Sequence, residues 1–170
     1  SDKPSLRRFY EHGPKLLVRR VISRQDRLLV AHTDERLVFK KDINPFIIVG
    51  DGWNLMFVLA VLNSRLLSYL YVNTSAIATK DDFRQTTLAE LRRLPIPETD
   101  RADHRQRDLA TLAGKMMQAQ SALSCAKTAH EKTALERQIA ATDREIDALV
   151  YELYGLSADE IKLVEESAAQ

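Results

Sequence analysis

Short apolar runs separated by turn-forming residues mark the first third of the chain. The runs cover residues 15–22, 27–32, 36–40 and 46–49. Polar and turn-forming residues lie between them, as at the boundaries of strands. Runs this short and this close together are typical of strands joined by hairpins rather than by long crossovers. The pattern therefore predicts a small, mainly antiparallel β-sheet.

From Leu55 the apolar residues recur every three or four positions, which is the period of a helix. The pattern continues to about Tyr71 and predicts a single helix that packs on the sheet. A second, short helix is predicted over residues 88–94. It must end at Pro95 and Pro97, because proline cannot continue a helix and biases its predecessor towards extended geometry.

The remainder of the chain is helical, and we place a domain boundary between residues 1–97 and 98–170. Two heptad-like apolar series run through the second part. They consist of Leu109, Leu112, Met116, Ala119, Leu123 and Ala126, then Leu135, Ile139, Thr142, Ile146, Leu149 and Leu153. The regular spacing of apolar residues is interrupted between the two series. Within this interruption Thr128 and Glu131 have the spacing of a capping box. We predict an antiparallel hairpin of two long helices and a short C-terminal helix, and hence an α+β protein.

The composition is that of a folded chain. Hydrophobic residues make up 45% and charged residues 29%, which argues against disorder. One cysteine, Cys125, excludes an internal disulfide and fits a reducing cytoplasm. The longest apolar run, residues 55–62, is far shorter than the roughly 20 residues that a membrane span needs. The chain begins with Ser1 rather than methionine, as an excised piece of a longer protein would.

Charge is distributed unevenly between the two parts. Residues 1–97 hold 16 Lys and Arg against 10 Asp and Glu, a net charge of +6. Residues 98–170 hold 9 against 14, a net charge of −5. A polyanion that contacts only the first part would suit this distribution, and two ordinary solvated surfaces would suit it equally well.

Five segments resemble, in order, those of the TaqI-like C-terminal specificity domain. That domain belongs to type II restriction–modification enzymes and adenine-specific DNA methyltransferases. Residues 146–156, I-D-A-L-V-Y-E-L-Y-G-L, are similar to its closing signature, and Gly155 lies where a left-handed helix end is expected. Residues 15–20 are similar to its opening strand, and residues 62–66 to the L-N-S-x-L of its main helix. Residues 94–97 are similar to its L-P-I-P segment, and residues 126–131 to its hairpin turn.

The resemblance implies a module that recognises a double-stranded DNA sequence for a bacterial, cytoplasmic restriction–modification enzyme. The parent would be an adenine-specific methyltransferase that uses S-adenosylmethionine, with or without a Mg²⁺-dependent endonuclease. The two long helices would act as a spacer and as a docking element for the parent's domains. The chain itself is expected to hold no cofactor and no catalytic residues.

Two segments look catalytic but lack the necessary context. Residues 42–46 are similar to the N-P-P-Y/F loop of amino-methyltransferases, but the second proline is missing, so we interpret them as a turn entering a strand. Residues 160–162 have the E-x-K spacing of nucleases, which needs a strand, whereas they follow a helix cap. The histidines have no paired spacing and Cys125 stands alone, so no metal site is predicted.

Candidate DNA contacts fall into two groups. Residues 73–87 combine cations with amides, the donor types that read base edges. Within this stretch we predict base contacts for Lys80, Arg84 and Gln85, with an ordinary polar loop as the alternative. Cations near strand ends are predicted phosphate contacts, with plain solubility as the alternative. They are Arg19, Arg20, Arg24, Lys40 and Lys41.

Two other functions stay open. The helices could form an assembly or dimerisation module, or the chain could be half of a type I specificity subunit with no independent DNA reading. A standalone enzyme is disfavoured by the missing motifs. We also expect that the isolated chain can self-associate, because excision would expose any face that a parent domain covers.

Overall fold

The computed structural model describes residues 6–23, 25–49, 53–75, 85–98 and 103–167. Within these ranges a 3₁₀-helix, Leu6–Phe9, precedes three strands and six α-helices. The strands are β1 (Lys15–Arg19), β2 (Val30–Thr33) and β3 (Ile43–Phe46). The helices are α1 (Leu55–Asn63), α2 (Arg65–Thr74), α3 (Leu88–Leu91), α4 (His104–Cys125), α5 (Ala129–Tyr154) and α6 (Ala158–Ser167). The predicted α+β class is confirmed.

The strands form one antiparallel sheet in the order β2-β1-β3. Side chains alternate across β1, so Leu16 and Val18 are both 1% exposed, whereas Arg19 is exposed. Pro45 lies in the edge strand β3, where a missing N–H is tolerated. The predicted small antiparallel sheet is confirmed.

One predicted strand, residues 36–40, is wrong. After β2 the chain packs against the N-terminal segment instead of pairing with the sheet. The Leu37 N–H donates to the Tyr10 carbonyl oxygen at 3.2 Å, and the Phe39 ring stacks on Tyr10 with 4.8 Å between ring centroids. The last strand also begins earlier than its apolar run, because pairing with β1 starts at Ile43.

The predicted single helix from Leu55 to Tyr71 is also wrong, because it is broken at Ser64. Helices α1 and α2 meet there at an angle of 63°. The Ser64 hydroxyl donates to the Val61 carbonyl oxygen at 2.7 Å and accepts from the Leu67 N–H at 3.3 Å. One side chain thus ends the first helix and caps the second. Among the described helices no single one is long and apolar enough to cross a membrane; only this bent pair, taken together, has that length and composition.

Asn63 attaches α1 to the edge of the sheet. Its Oδ1 accepts from the Val30 N–H at 3.0 Å, and its Nδ2 donates to the Val30 carbonyl oxygen at 2.9 Å. Val30 belongs to the edge strand β2, so the amide satisfies two backbone groups that another strand would otherwise pair with. The predicted packing of this helix on the sheet is confirmed.

Helices α4 and α5 form the predicted hairpin. The Thr128–Glu131 capping box at the start of α5 is confirmed, with both reciprocal bonds present. Gly155 ends α5 in the left-handed conformation, φ +67°, as its position in the signature predicts. No side chain between residues 120 and 138 is buried, so the tip of the hairpin projects away from the core.

One hydrophobic cluster joins the sheet, α1, α2 and the C-terminal helices. It includes residues from both sides of the domain boundary that the sequence suggests, among them Leu16, Phe57, Leu67, Leu109, Ile146, Val150 and Val164. The base of the hairpin is therefore packed against the first part of the chain rather than tethered to it. This packing gives the sheet a fixed position relative to the long helices.

Candidate nucleic-acid interface

Three segments of the chain converge at the end of β1. The Arg20 N–H donates to the Asp42 carbonyl oxygen at 2.8 Å, on the side of β3. The Arg20 carbonyl oxygen accepts from the Thr86 N–H at 2.6 Å, and Val21 forms an antiparallel bridge with Gln85. The backbone of Arg20 is thus hydrogen-bonded through both its N–H and its carbonyl oxygen.

Thr86 and Asn44 hold these segments together. Thr86 is 2% exposed, and its hydroxyl donates to the Arg19 carbonyl oxygen at 3.1 Å. Asn44 Nδ2 donates to the Thr86 hydroxyl at 3.0 Å. Asp42 ends a turn, and Asn44 and Pro45 lie within β3, so residues 42–46 form the predicted turn entering a strand. The Asn44 amide therefore contributes to this junction.

Tyr71 supports the Gln85 backbone from beneath. Its hydroxyl lies 3.1 Å from the Gln85 carbonyl oxygen and 3.1 Å from Glu90 Oε2, and it accepts from the Thr87 N–H at 3.0 Å. Burial raises the pKa of Tyr71 above its ordinary value, against a smaller lowering by the Thr87 N–H. The hydroxyl therefore keeps its proton at neutral pH and remains a donor.

The side chains of Arg20 and Gln85 meet on this framework. Arg20 Nε donates to Gln85 Oε1 at 3.1 Å, and both side chains are half-buried. Across the residues that the structure describes, the two Nη nitrogens of Arg20 have no hydrogen-bond or ion-pair partner. The sequence predicted a phosphate contact for Arg20 and a base contact for Gln85, but not that the two would touch.

The remaining candidates divide into those near this junction and those that cannot be placed. Lys40 and Lys41 are exposed in the turn that ends at Asp42, where the Ile43 N–H donates to the Lys40 carbonyl oxygen at 3.2 Å. Arg19 is exposed and pairs in register with Ile43. Arg24, Lys80 and Arg84 lie outside the described residues. We call Arg19, Arg20, Lys40, Lys41 and Gln85 the basic sheet end.

The basic sheet end has the chemistry of an anion-binding surface. Among the residues that the structure describes there, its four cations stand beside the exposed carboxylate of Asp42, which leaves an excess of positive charge. In the described residues no group of three His, Cys, Asp or Glu side chains is placed to hold a metal ion. Exposed cations on a rigid sheet can neutralise phosphates, whereas the amide and guanidinium groups can also read base edges.

Glu160, the acid of the E-x-K look-alike, has a structural role. Its Oε2 accepts from the Ser157 N–H at 2.8 Å at the start of α6. This bond holds the pKa of Glu160 below its usual range. The helical setting that the sequence predicts for this segment is confirmed, and its carboxylate is used as a helix cap.

The closing signature docks the hairpin onto the first part of the chain. Asp147 is 2% exposed; its Oδ1 accepts from the Arg65 N–H at 2.8 Å, and its Oδ2 forms an ion pair with Arg65 Nε at 3.0 Å. Burial raises the pKa of Asp147 to about 6, opposed by the Arg65 N–H bond and by the charges of Arg27 and Arg65. The sequence indicated an apolar helix face here but not this polar contact.

Two tyrosines of the same signature complete the docking. The Tyr151 hydroxyl donates to Glu165 Oε1 on α6 at 2.8 Å. The Tyr154 hydroxyl donates to the carbonyl oxygen of Pro95 at 2.5 Å, within the L-P-I-P segment. Two of the segments that carry the family resemblance therefore touch each other.

Residues 1–96 match the family described as the TaqI-like C-terminal specificity domain. The match covers more than half of the chain, includes the whole basic sheet end and confirms the predicted family. The chain belongs to the TaqI-like C-terminal specificity domain family.

The chain is also similar to a protein of Methanocaldococcus jannaschii, named "Putative type II restriction enzyme and methyltransferase RM.MjaORFECS2P". The two are 49% identical over 83 residues, which are 48% of this chain and 7% of that protein. The chain thus spans only a small part of this relative's length. No solved structure matches the chain.

Proposed function

We propose that this chain is the double-stranded DNA recognition module of a restriction–modification enzyme. The observation that carries the proposal is the basic sheet end, which lies within the residues that match the specificity family. Arg19, Lys40 and Lys41 contact phosphates, and Gln85 contacts a base edge in the major groove. Lys80 and Arg84 keep their predicted base contacts, and Arg24 its phosphate contact, as part of the same proposal.

The proposed parent is a cytoplasmic, adenine-specific DNA methyltransferase, with or without an endonuclease. The name of the Methanocaldococcus relative supports this parent. S-adenosylmethionine, and Mg²⁺ for cleavage, would be bound by other domains that pack on the helices. The recognition module holds the duplex while the catalytic domain extracts the target adenine from the stack.

Salt dependence of duplex binding tests the proposal. For B-DNA the logarithm of the association constant falls with the logarithm of salt concentration, with a slope of about −0.9 per phosphate neutralised. Replacing Lys40 and Lys41 with glutamine should therefore reduce the slope by about 1.8 if each lysine contacts one phosphate. The measurement is a fluorescence-anisotropy titration of duplex DNA at four or more salt concentrations.

A matched control uses Lys127 and Lys132, which are exposed near the hairpin tip. Changing both to glutamine alters the net charge by the same amount but should leave the slope unchanged. Equal effects of the two double variants would contradict an interface at the basic sheet end. Binding that did not respond to salt would contradict the electrostatic basis of the proposal altogether.

A second role, assembly through the helices, is favoured by one feature. An open groove of about 970 Å³ runs between the sheet and the hairpin. Its apolar lining includes Leu29, Ala31, Met116, Met117 and Ile139. A chain that failed to bind DNA but associated with itself or with parent domains, independently of salt, would have this role instead.

The proposed module is not itself catalytic. We expect the 170-residue chain neither to incorporate labelled methyl groups into duplex DNA nor to cleave it. Isothermal calorimetry with S-adenosylmethionine is the matching binding measurement. Saturable binding of the cofactor would contradict the proposal that other domains of the parent bind it.

A further inference from the structure

We propose that Arg20 reads a guanine in the major groove, with Gln85 orienting its guanidinium group. This proposal rests on the DNA-recognition function above and gives Arg20 a different role from the phosphate contact that the sequence predicts. Gln85 becomes a positioning residue for Arg20 as well as a candidate base contact.

The hydrogen bond between the two side chains uses Nε of Arg20 and leaves its two Nη nitrogens available to a base. Arg20 donates through Nε to Gln85 Oε1 at 3.1 Å. The guanidinium is planar, so fixing Nε fixes the direction of the two Nη nitrogens. In the described part of the chain those nitrogens have no partner. Guanine presents O6 and N7 at the spacing of two parallel N–H donors, which makes Arg–guanine the commonest specific contact to a base.

Other arginines in this chain are held differently. Arg27 and Arg65 form ion pairs with Asp143, Asp147 and Glu165, so carboxylates occupy their guanidinium groups. The side-chain partner of Arg20 is a neutral amide, which orients the group without neutralising its charge. This arrangement suits a side chain that must meet an electronegative base edge in one geometry.

The backbone beneath the pair is also rigid. The Arg20 N–H donates to the Asp42 carbonyl oxygen, the Arg20 carbonyl oxygen accepts from the Thr86 N–H, and the Gln85 carbonyl oxygen accepts from the Tyr71 hydroxyl. Ordering a long side chain costs rotamer entropy, and the hydrogen bond to Gln85 meets part of that cost before DNA binds. A phosphate contact needs no such fixing, because phosphates carry no base identity.

The test begins with selection of duplexes from a randomised library by the 170-residue chain, followed by affinity measurements on the selected site and its single-base variants. The first variant is Arg20→Lys, which keeps the positive charge but loses the two parallel N–H donors of the guanidinium. The second is Gln85→Ala, which removes the oxygen that orients Arg20. Arg19→Lys is the matched control, because Arg19 is the exposed neighbour in β1. Circular dichroism and thermal unfolding check that each variant is folded.

We expect the Arg20→Lys variant to lose the preference for guanine at one position of the site. A good bidentate pair discriminates by roughly 5- to 150-fold, and most of that factor should disappear. Gln85→Ala should lose part of it at the same position, whereas Arg19→Lys should change no base preference. Replacing that guanine with 7-deazaguanine, which lacks N7, should weaken binding of the unchanged protein but not of Arg20→Lys.

Other outcomes separate this inference from the proposed function. If Arg20→Lys leaves all base preferences intact, or weakens every duplex by the same factor, Arg20 is not a base reader and the inference is wrong, while DNA recognition stands. If the unchanged protein binds no duplex, the proposed function itself is wrong, and the inference fails with it.

Discussion

Replacement of Asp147 by alanine tests whether the closing signature docks the hairpin. The substitution removes the acceptor of the Arg65 N–H, a bond of 2.8 Å at the start of α2, and the carboxylate that pairs with Arg65 Nε at 3.0 Å. Asp147 is 2% exposed, so bulk water has little access to the groups that the substitution leaves unpaired. We therefore expect a loss of stability far above that of a surface substitution.

The magnitude follows from what is left unpaired. A buried donor without an acceptor costs about 1–3 kcal/mol, and breaking a fully buried ion pair costs about 3–5 kcal/mol. In the variant Arg65 keeps its ion pair with Glu165, and Arg27 keeps its ion pair with Asp143. The cost given for breaking a fully buried ion pair is therefore an upper limit. We expect Asp147→Ala to lower the free energy of unfolding by about 2–3 kcal/mol at pH 7.

Chemical denaturation of the 170-residue chain measures this loss. Asp143→Ala is the control on the same helix, because Asp143 also pairs with Arg27, at 3.0 Å, but its side chain is 32% exposed. Exposed ion pairs contribute up to about 1 kcal/mol, so the control should lose no more than that. Equal losses in the two variants, or a loss below about 1 kcal/mol in Asp147→Ala, would refute the docking role.

The pH dependence provides a second measurement on the same residue. Burial raises the pKa of Asp147 to about 6, above its ordinary value near 4, so the folded state holds the proton more tightly than the unfolded state. The resulting stabilisation is complete below about pH 4 and is lost as the pH rises to about 6. Relative to Asp147→Asn, the natural protein should lose up to roughly 3 kcal/mol across this window. If the difference in unfolding free energy between the natural protein and Asp147→Asn did not change with pH, the raised pKa would be contradicted.

Three further substitutions probe other contacts, each by thermal or chemical unfolding. Asn63→Ala should cost about 1–3 kcal/mol because both backbone groups of Val30 lose their partner, and a loss within 0.5 kcal/mol would contradict the edge pairing. Tyr154→Phe should cost about 0.5–1.5 kcal/mol through the loss of its bond to Pro95, and an unchanged stability would contradict a structural role for that bond. Gly155→Ala should cost about 1 kcal/mol or more because φ is +67°, and a neutral result would indicate that α5 can end in another conformation.

Local signals in the sequence predicted much of the fold. The capping box at Thr128 and the left-handed end at Gly155 depend on residues within one helical turn, so their patterns were sufficient. The break at Ser64 was missed because the apolar period continues through it; the serine cap alone interrupts an otherwise regular helix. The strand predicted over residues 36–40 failed because the Phe39 ring stacks on Tyr10 and the Leu37 N–H donates to the Tyr10 carbonyl oxygen, contacts that alternation cannot reveal.

The candidate site was predictable in kind but not in arrangement. Arg20 and Gln85 were each chosen for their residue type, yet 65 positions separate them, and their contact depends on the bridge between Val21 and Gln85. Asp147 looked like one polar position beside an apolar stripe. Its importance comes from the N-terminus of α2, which lies opposite it only because the core brings the two helices together.

The projecting tip of the hairpin gives the module an adjustable length. Residues 120–138 contribute no buried side chain, whereas the docking contacts lie at the other end of α5. Adding seven residues to each helix at the tip would lengthen the arm by about 10 Å and keep the same helix faces inward. Such an insertion would leave the sheet and its cations untouched. Under the proposed function, the reach of the arm would depend on helix length and base preference on a few side chains at the opposite end, so the two could vary independently.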